Sequence, residues 1–462
     1  MIISDKIYID CSKEPLNESI LAHLTYKNPE YYAKMNMGLP VRKIPKEIKA
    51  YTYDQQTRVL AIPRGEAIKL RPFIGGFEYN FSHPDFPENL QYINNDFELD
   101  EYQTGAIKAM TVDGYRQGII HAVTSAGKSH MILKTIVDLK QRGLVVVHRK
   151  LLMKQLLDDI DKYIRDEKGN KIKVGIIGDG KLSVGPITIA LDKTLAKNLN
   201  RFRSEFGIAI LDECHICPAN TIFELLNSLN TKFRFGFSGT LKRKDQKDFL
   251  IYSTFGTVIY TISKDQLLDK ERIVPVEVEV VETETRFNWD QVVEGLTEAG
   301  HKNPTTKARE LQNKTIANDP ARAALILRYV SKLKGKTIVL SNFVAPCYTH
   351  SERLLQEFGI QNGVITGTDS KEAAASYEEM KHGDLQVIFA TVGCVSTGIS
   401  ISDLDHIVLI SPIYTNEALL HQIRGRLMRM AEGKIKGTLH FFWDKHIFGE
   451  FKLNQMLRIM RK

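Results

Sequence analysis

The segment AVTSAGKS, Ala122 to Ser129, carries the residue types that binding a nucleoside triphosphate requires. It follows a short apolar run, GIIHAV, and opens a stretch of helical spacing. In such a loop, small residues let successive backbone N–H groups converge on phosphate oxygens, a lysine reaches the β and γ phosphates, and a Ser or Thr hydroxyl binds Mg²⁺. Thr124, Ser125, Ala126 and Gly127 would form the cradle, Lys128 the cation and Ser129 the metal ligand. Ala122 stands where the pattern G-x-x-x-x-G-K-S/T begins with glycine, so the match departs by one residue, and an ordinary strand-to-helix turn is the alternative. Downstream, GIAILDECH delivers Asp212 and Glu213 at the carboxyl end of an apolar strand, where open α/β sheets bind their ligands. Asp212 suits a Mg²⁺ carboxylate, and Glu213 a base that orients the water attacking the γ-phosphate. A solvated acidic turn would also supply two carboxylates, but not at the end of a buried strand.

Holding these groups requires a parallel sheet. From Gly118 to Thr240 short apolar runs alternate with helical stretches: GIIHAV, a helix from about Lys128, LVVVH, a helix from about Leu151, ITIAL, GIAIL and FRFGFS. A second series runs from about Ala321, with KTIVLS, a helix near Pro346 to Glu357, GVIT, QVIFAT, HIVLI, a helix near Asn416 to Met430 and TLHFFW. Between them VPVEVEVVETE reads as an exposed alternating strand and HKNPTTKARE as a polar connector, together bridging the two units. The first 95 residues, rich in Tyr, Pro and Asn, read as a small accessory domain in which YTYDQQTRVLAIP forms a hairpin turning near Asp54 to Thr57. The expected fold class is α/β, with two tandem parallel-sheet units of similar size behind a small α+β domain. The expected boundaries are 1–95, 96–265 and 266–462.

The motifs together are specific. Gly127-Lys128-Ser129 and Asp212-Glu213-Cys214-His215 resemble motifs I and II of superfamily 2 helicases, in the DExH branch. Ser238-Gly239-Thr240 resembles motif III, which in that family couples the ATP site to nucleic acid, with His215 on the same path. LDEYQ resembles the Q-type motif, in which Gln103 would read the adenine edge and Tyr102 could stack. HQIRGRLMR resembles motif VI, which makes Arg426 and Arg429 candidates to stabilise charge on the γ-phosphoryl and Gln422 a coupling residue. ATVGCVSTGIS resembles motif V, in which Thr391 would hold a backbone phosphate and Gly398 approach the nucleotide; the family often has an acidic residue where Ser400 stands. By the same resemblance His148 and Arg149, Lys193 and Thr194, and Asn342 occupy the places of motifs Ia, Ib and IV and would grip phosphates. The alternative for Arg149 and Lys193 is the start of a solvated helix.

Totals fit this reading. The chain has 462 residues, 43% of them apolar, and a soft prior of roughly 150 residues per domain gives about three domains. The formal charge of +8 suits a polyanionic partner without requiring one. Five scattered cysteines argue against a disulfide framework, and no apolar run reaches the roughly 18 residues of a membrane span. A cytoplasmic setting, in the host cell if the source is viral, and no membrane partner are expected. Cys214-x-x-Cys217 has no second Cys or His pair at zinc-finger spacing; Gly178-Asp179-Gly180 reads as a hairpin turn and Trp443 as the end of a core strand.

The phrases TSAGKS, DECH, SGT and STGIS behind a small N-terminal domain look most like the phage UvsW-type DNA helicases. That resemblance implies two tandem RecA-like P-loop domains, with residues 1–95 recognising the DNA substrate. The enzyme would be ATP- and Mg²⁺-dependent and monomeric, and would unwind or branch-migrate forks, Holliday-type junctions and R-loops in recombination, repair and replication restart, with RNA met in hybrids. The competing readings are a DExH RNA helicase, a duplex DNA translocase without strand separation, the motor of a restriction system, and a nucleic-acid-binding scaffold with a decayed ATPase.

Overall fold

The computed structural model describes the chain except residues 13–17, 74–79, 94–97, 124, 244, 270–272, 367–370, 397–400, 402, 412–416 and 462. It divides into two compact units, Met1–Gln266 and Leu267–Lys462.

The first unit is built on a sheet with the order Lys181–Leu182, Gly175–Gly178, Ile187–Leu191, Gly143–Val147, Ile208–Asp212, Phe233–Ser238, Gln117–Ala122 and Val258–Ile262. Every pairing in it is parallel except that of the terminal hairpin Gly175–Gly178/Lys181–Leu182. That hairpin turns at Asp179 and Gly180, both at positive φ, the conformation the Gly-Asp-Gly sequence favours. The central strands are apolar along their whole length because helices cover both faces, as a parallel sheet demands.

The N-terminal residues form their own sheet, ordered Thr52–Asp54, Val59–Pro63, Lys6–Asp10, Ile2–Ile3 and Asn80–Phe81, over a core of Ile7, Ile9, Ile20, Leu24, Leu60, Ile62 and Leu70. The expected hairpin is present, and the Asp54 carboxylate accepts the N–H groups of Gln56 and Thr57 in its turn. This sheet is locked to the α/β layer by buried guanidiniums. Arg234, fully buried, donates to the carbonyls of Asp5 (3.0 Å) and Leu229 (2.9 Å). Arg64 reaches the carbonyl of Thr231 (2.5 Å), while the Gln117 amide donates back to the Arg64 carbonyl (2.8 Å). Gly65 is required at this seam, since a Cβ there would lie 2.1 Å from the Tyr252 carbonyl oxygen.

The second unit carries an all-parallel sheet ordered Val276–Thr283, Gly437–Asp444, Leu404–Leu409, Lys336–Ser341, Val387–Thr391 and Asn362–Ile365. Both chains of alternating elements therefore make RecA-like parallel sheets, as expected. The intervening segment holds the alternating strand expected of it but departs from expectation in where that strand goes. Val276–Thr283 is not a bridge between units but the edge strand of the second sheet, paired over eight residues with Gly437–Asp444. HKNPTTKARE is not a connector either; it opens the helix Pro304–Asn318. That helix has a largely polar surface, yet Ala308, Gln312 and Ile316 recur every fourth residue and are buried. A stripe this narrow lies below what apolar periodicity reveals.

Asp444, at the end of FFWD, is fully buried and meets Arg322 in a forked ion pair, Nε to Oδ1 at 2.7 Å and Nη2 to Oδ2 at 3.3 Å, while Thr283 Oγ1 donates to Oδ1 at 2.5 Å. This triad ties the edge strand, the neighbouring strand and the helix Pro320–Val330 together. Removing one partner of such a pair strands a buried charge, at a cost of about 3–5 kcal/mol, whereas replacing both by apolar groups is often neutral. Asp444→Ala is therefore expected to destabilise the second unit by about that amount in urea unfolding, and Arg322→Met with Asp444→Leu to recover most of it; equal loss in both variants would refute this account.

Candidate functional site

The loop after strand Gln117–Ala122 bends sharply: Ser125 and Gly127 both lie in the left-handed region, at φ 73° and 76°, before the helix Lys128–Leu139 begins. The helix N-terminus brings its unpaired N–H groups and positive dipole end to the loop. Ala126 is fully buried, and its carbonyl accepts the Gln103 amide at 3.1 Å; the same side chain accepts the Asp100 N–H at 2.9 Å. Gln103 thus braces the loop from below. Tyr102 is buried, its hydroxyl donating to Asp100 at 2.8 Å. Thr124 lies outside the described residues.

Strand order assembles the rest. Phe233–Ser238 lies between Ile208–Asp212 and Gln117–Ala122, pairing Phe237 with Asp212 on one side and Ser238 with His121 on the other. Three motifs far apart in sequence therefore end on adjacent strands. Lys128 Nζ stands 2.8 Å from Glu213 Oε1. Glu213 Oε2 is 3.2 Å from His215 Nδ1, which lies 3.0 Å from Ser238 Oγ. The Ser238 hydroxyl donates to the Thr240 carbonyl at 2.8 Å and accepts the Thr240 N–H at 3.2 Å, which leaves His215 Nδ1 to act as donor to it. Gly239 is held by His121, whose Nε2 donates to its carbonyl at 3.2 Å.

Glu213 adopts φ 58°, rare for a side chain with a Cβ, at the point where its carboxylate turns towards Lys128. Burial alone would raise its pKa, but the Lys128 ammonium and the His215 ring hold it well below the usual range, so it stays ionised. Asp212 is pushed upwards, by burial first and then by the like charge of Glu213. The Lys128 ammonium is favoured by both carboxylates against its own burial. Two adjacent carboxylates thus differ in character, as groups with different tasks do.

The sequence reading missed several contributors. Arg243, shortly past Ser238-Gly239-Thr240, donates to the His215 carbonyl and forks onto Asp245. Gly236 lets Cys214 pack, since a Cβ there would lie 2.8 Å from the Cys214 Cβ. No motif spacing marks either residue. Asp100 could have been found, because D-x-x-Q before an apolar run signals a helix start. Cys214 and Cys217 are buried, burial pushes the Cys217 thiol up to about 12, and Cys217 Sγ donates to Thr254 at 3.3 Å. No cluster of metal-ligating side chains occurs among the described residues.

The residues expected to hold nucleic acid follow strand ends in each unit. In the first, His148 and Arg149 come directly after Gly143–Val147, and Lys193 and Thr194 after Ile187–Leu191. Lys193 is exposed. Burial, then Arg149, pushes His148 down to about 4, which leaves it neutral. In the second, Asn342 follows Lys336–Ser341 and is exposed, and Thr391 ends Val387–Thr391, its hydroxyl donating to the Thr366 carbonyl at 3.3 Å. Gln422 and Arg426 lie on the helix Glu417–Leu427, with Arg426 buried. Arg429 is past the helix end, bridged to Ile273. Gly398 and Ser400 lie outside the described residues.

Two family models match the chain: the type III restriction enzyme res subunit over residues 96–243, and the helicase conserved C-terminal domain over 321–431. Together they cover more than half of it. With two RecA-like sheets and the joined motifs, the chain belongs to the superfamily 2 helicases, a class of ATP-dependent nucleic-acid helicases. It is similar to Probable helicase D10 of Escherichia phage T5, 26% identical over 69% of this chain and 65% of that protein. It is also similar to the ATP-dependent DNA helicase uvsW of Enterobacteria phage T4, 22% identical over 83% of this chain and 78% of that one. The chain thus spans just under two thirds of D10's length. In fold it is similar to Dbp5 of S. cerevisiae, solved bound to RNA and ADP BeF3, with TM-score 0.55 and 14% identity over 79% of this chain and 88% of that one. Among the described residues no helix is long and apolar enough to cross a membrane.

Gly127 provides a sharp test of the loop. A Cβ there would meet the Gln103 amide nitrogen at 2.2 Å, on a backbone at φ 76°. Gly127→Ala is expected to displace Gln103 and weaken ATP binding at least tenfold in a fluorescent-nucleotide titration, with strain of about 1–2 kcal/mol lowering the melting temperature slightly. Unchanged nucleotide affinity would mean the loop is not the phosphate cradle.

Proposed function

We propose that the chain is an ATP-driven DNA helicase that tracks along DNA and unwinds or branch-migrates forked, Holliday-type or R-loop substrates, acting as a monomer. The observation that carries this reading is the unbroken run of contacts from Lys128 through Glu213 and His215 to Ser238 and Thr240. A DNA helicase name among its phage relatives favours DNA over RNA.

In this reading arriving nucleotide takes Lys128 from Glu213 for its β and γ phosphates, while the N–H groups around Ser125 to Gly127 enclose the phosphate oxygens. Glu213, released but still ionised, orients the attacking water. Its oxygen also leaves or tightens on His215, and Ser238-Gly239-Thr240 shift with it; this is how the state of the γ-phosphate would be felt at the nucleic acid. Tyr102 and Gln103 would bound the adenine side. Arg426 and Arg429 are the proposed guanidiniums that stabilise charge on the transferred phosphoryl, and Gln422 couples them to the cycle. His148, Arg149, Lys193 and Thr194 on one unit, and Asn342 and Thr391 on the other, would grip successive phosphates.

The residues fit Mg²⁺. Asp212 Oδ1 accepts the Glu213 N–H at 3.0 Å while Oδ2 makes no hydrogen bond among the described residues. The Ser129 hydroxyl is the proposed second protein ligand, a sparse set suited to an ion that keeps several waters and phosphate oxygens. When bound, Mg²⁺ held by Asp212 and Ser129 would supply positive charge that offsets the charge developing on the transferred phosphoryl.

Lys128→Ala is expected to abolish nucleic-acid-stimulated phosphate release and ATP-dependent unwinding, by 10³-fold or more in order of magnitude, while DNA affinity without nucleotide stays within about twofold. Unwinding retained by this variant would exclude the site. Stimulation of wild-type hydrolysis by RNA but not DNA would transfer the reading to an RNA helicase.

A further inference from the structure

Residues 1–95 fall outside both family matches. Within them, strands Thr25–Lys27 and Glu47–Lys49 pair antiparallel at the base of an arm. Asn28 closes that base: its amide donates to the Pro45 carbonyl at 2.8 Å, its backbone N–H to the Lys46 carbonyl at 3.0 Å, and its side-chain oxygen caps the helix Pro29–Asn36. The helix buries none of its side chains and ends in a turn through Gly38 at φ 66°. At the tip Met35, Met37 and Leu39 are 46%, 73% and 44% exposed, three large apolar groups within five residues. Isolated exposed apolar residues are ordinary, but a cluster on an ordered projection marks a contact surface.

Charge says what it contacts. Residues 27–49 hold six basic side chains against two acidic ones, and one of those acids, Glu30, is already taken by Lys34 and Lys247. Arg42, Lys43 and Lys46 are exposed and enter no ion pair among the described residues. Cations beside apolar side chains match a nucleic acid whose phosphates are held while Met or Leu presses on an unstacked base step. The arm also rests on the segment that follows motif III: Glu30 pairs with Lys247 at 3.1 Å, and Tyr26 stacks on Phe249 with ring centroids 4.2 Å apart.

We infer that this arm is a junction-recognition element, in which Arg42, Lys43 and Lys46 hold backbone phosphates and Met35, Met37 and Leu39 abut the bases at a branch point. It rests on the reading of the chain as a nucleic-acid motor. The test uses the full chain and fluorescence anisotropy on a model DNA fork and on a linear duplex of equal length, across a salt series. R42E/K43E/K46E is expected to weaken binding to both at least tenfold and to flatten the log–log salt dependence by about two to three. M37S/L39S is expected to lose about tenfold on the fork and little on the linear duplex. All substituted side chains are exposed, so melting temperatures should hold, and because the variants share no residue, a folding defect in one leaves the other decisive. Wild-type binding with both variants unchanged on both DNAs overturns the arm alone; a wild type that binds neither DNA overturns the arm and the helicase reading together.

Discussion

The ion pair between Lys128 and Glu213 is the constraint around which the first unit is arranged. A lysine at a helix start and a carboxylate at a strand end, 85 positions apart in sequence, come within 2.8 Å only because one strand separates the strands that deliver them. That intervening strand ends in Ser238, so the group best placed to sense the pair is the one the sheet puts between its members. The pair is mostly shielded but not sealed, with side chains 13% and 23% exposed, which leaves a path for an incoming phosphate to compete for the lysine. A deeply buried pair would resist that exchange.

The strain at Glu213 belongs to the same arrangement. Its left-handed backbone is costly for a residue with a Cβ, and the lysine, the histidine ring and the neighbouring strand hold it there. Carboxylates placed side by side at the end of one strand would otherwise titrate alike. Here one lies against an ammonium and the other is crowded by its neighbour's charge, so their affinities for protons separate.

Buried arginines fasten the margins of both units. Arg234 and Arg64 tie the N-terminal sheet to the α/β layer through backbone carbonyls, so the accessory layer and the motor layer form one compact unit. Burial lowers the pKa of both guanidiniums, Arg234 to about 10, which leaves it charged at neutral pH. In the second unit Arg322 with Asp444 serves the same purpose for an edge strand. In each case a planar fork of donors satisfies several acceptors that an apolar side chain would leave orphaned.

The sequence by itself determined the parallel sheets, the phosphate loop and the paired acids, because these are written in local patterns: apolar runs at strand length, G-K-S at a helix start, carboxylates at a strand's end. The hairpins at Asp54 and Asp179 were equally legible from their turn residues. Tertiary structure alone decided which strands are neighbours, and hence that Ser238 stands beside both His121 and the strand of Asp212. It also decided that Val276–Thr283 closes a sheet instead of crossing between units, and that a polar stretch at Pro304 folds as a helix. Those outcomes depend on partners supplied by distant segments, such as Gly437–Asp444 for the edge strand, and no window of local sequence contains them.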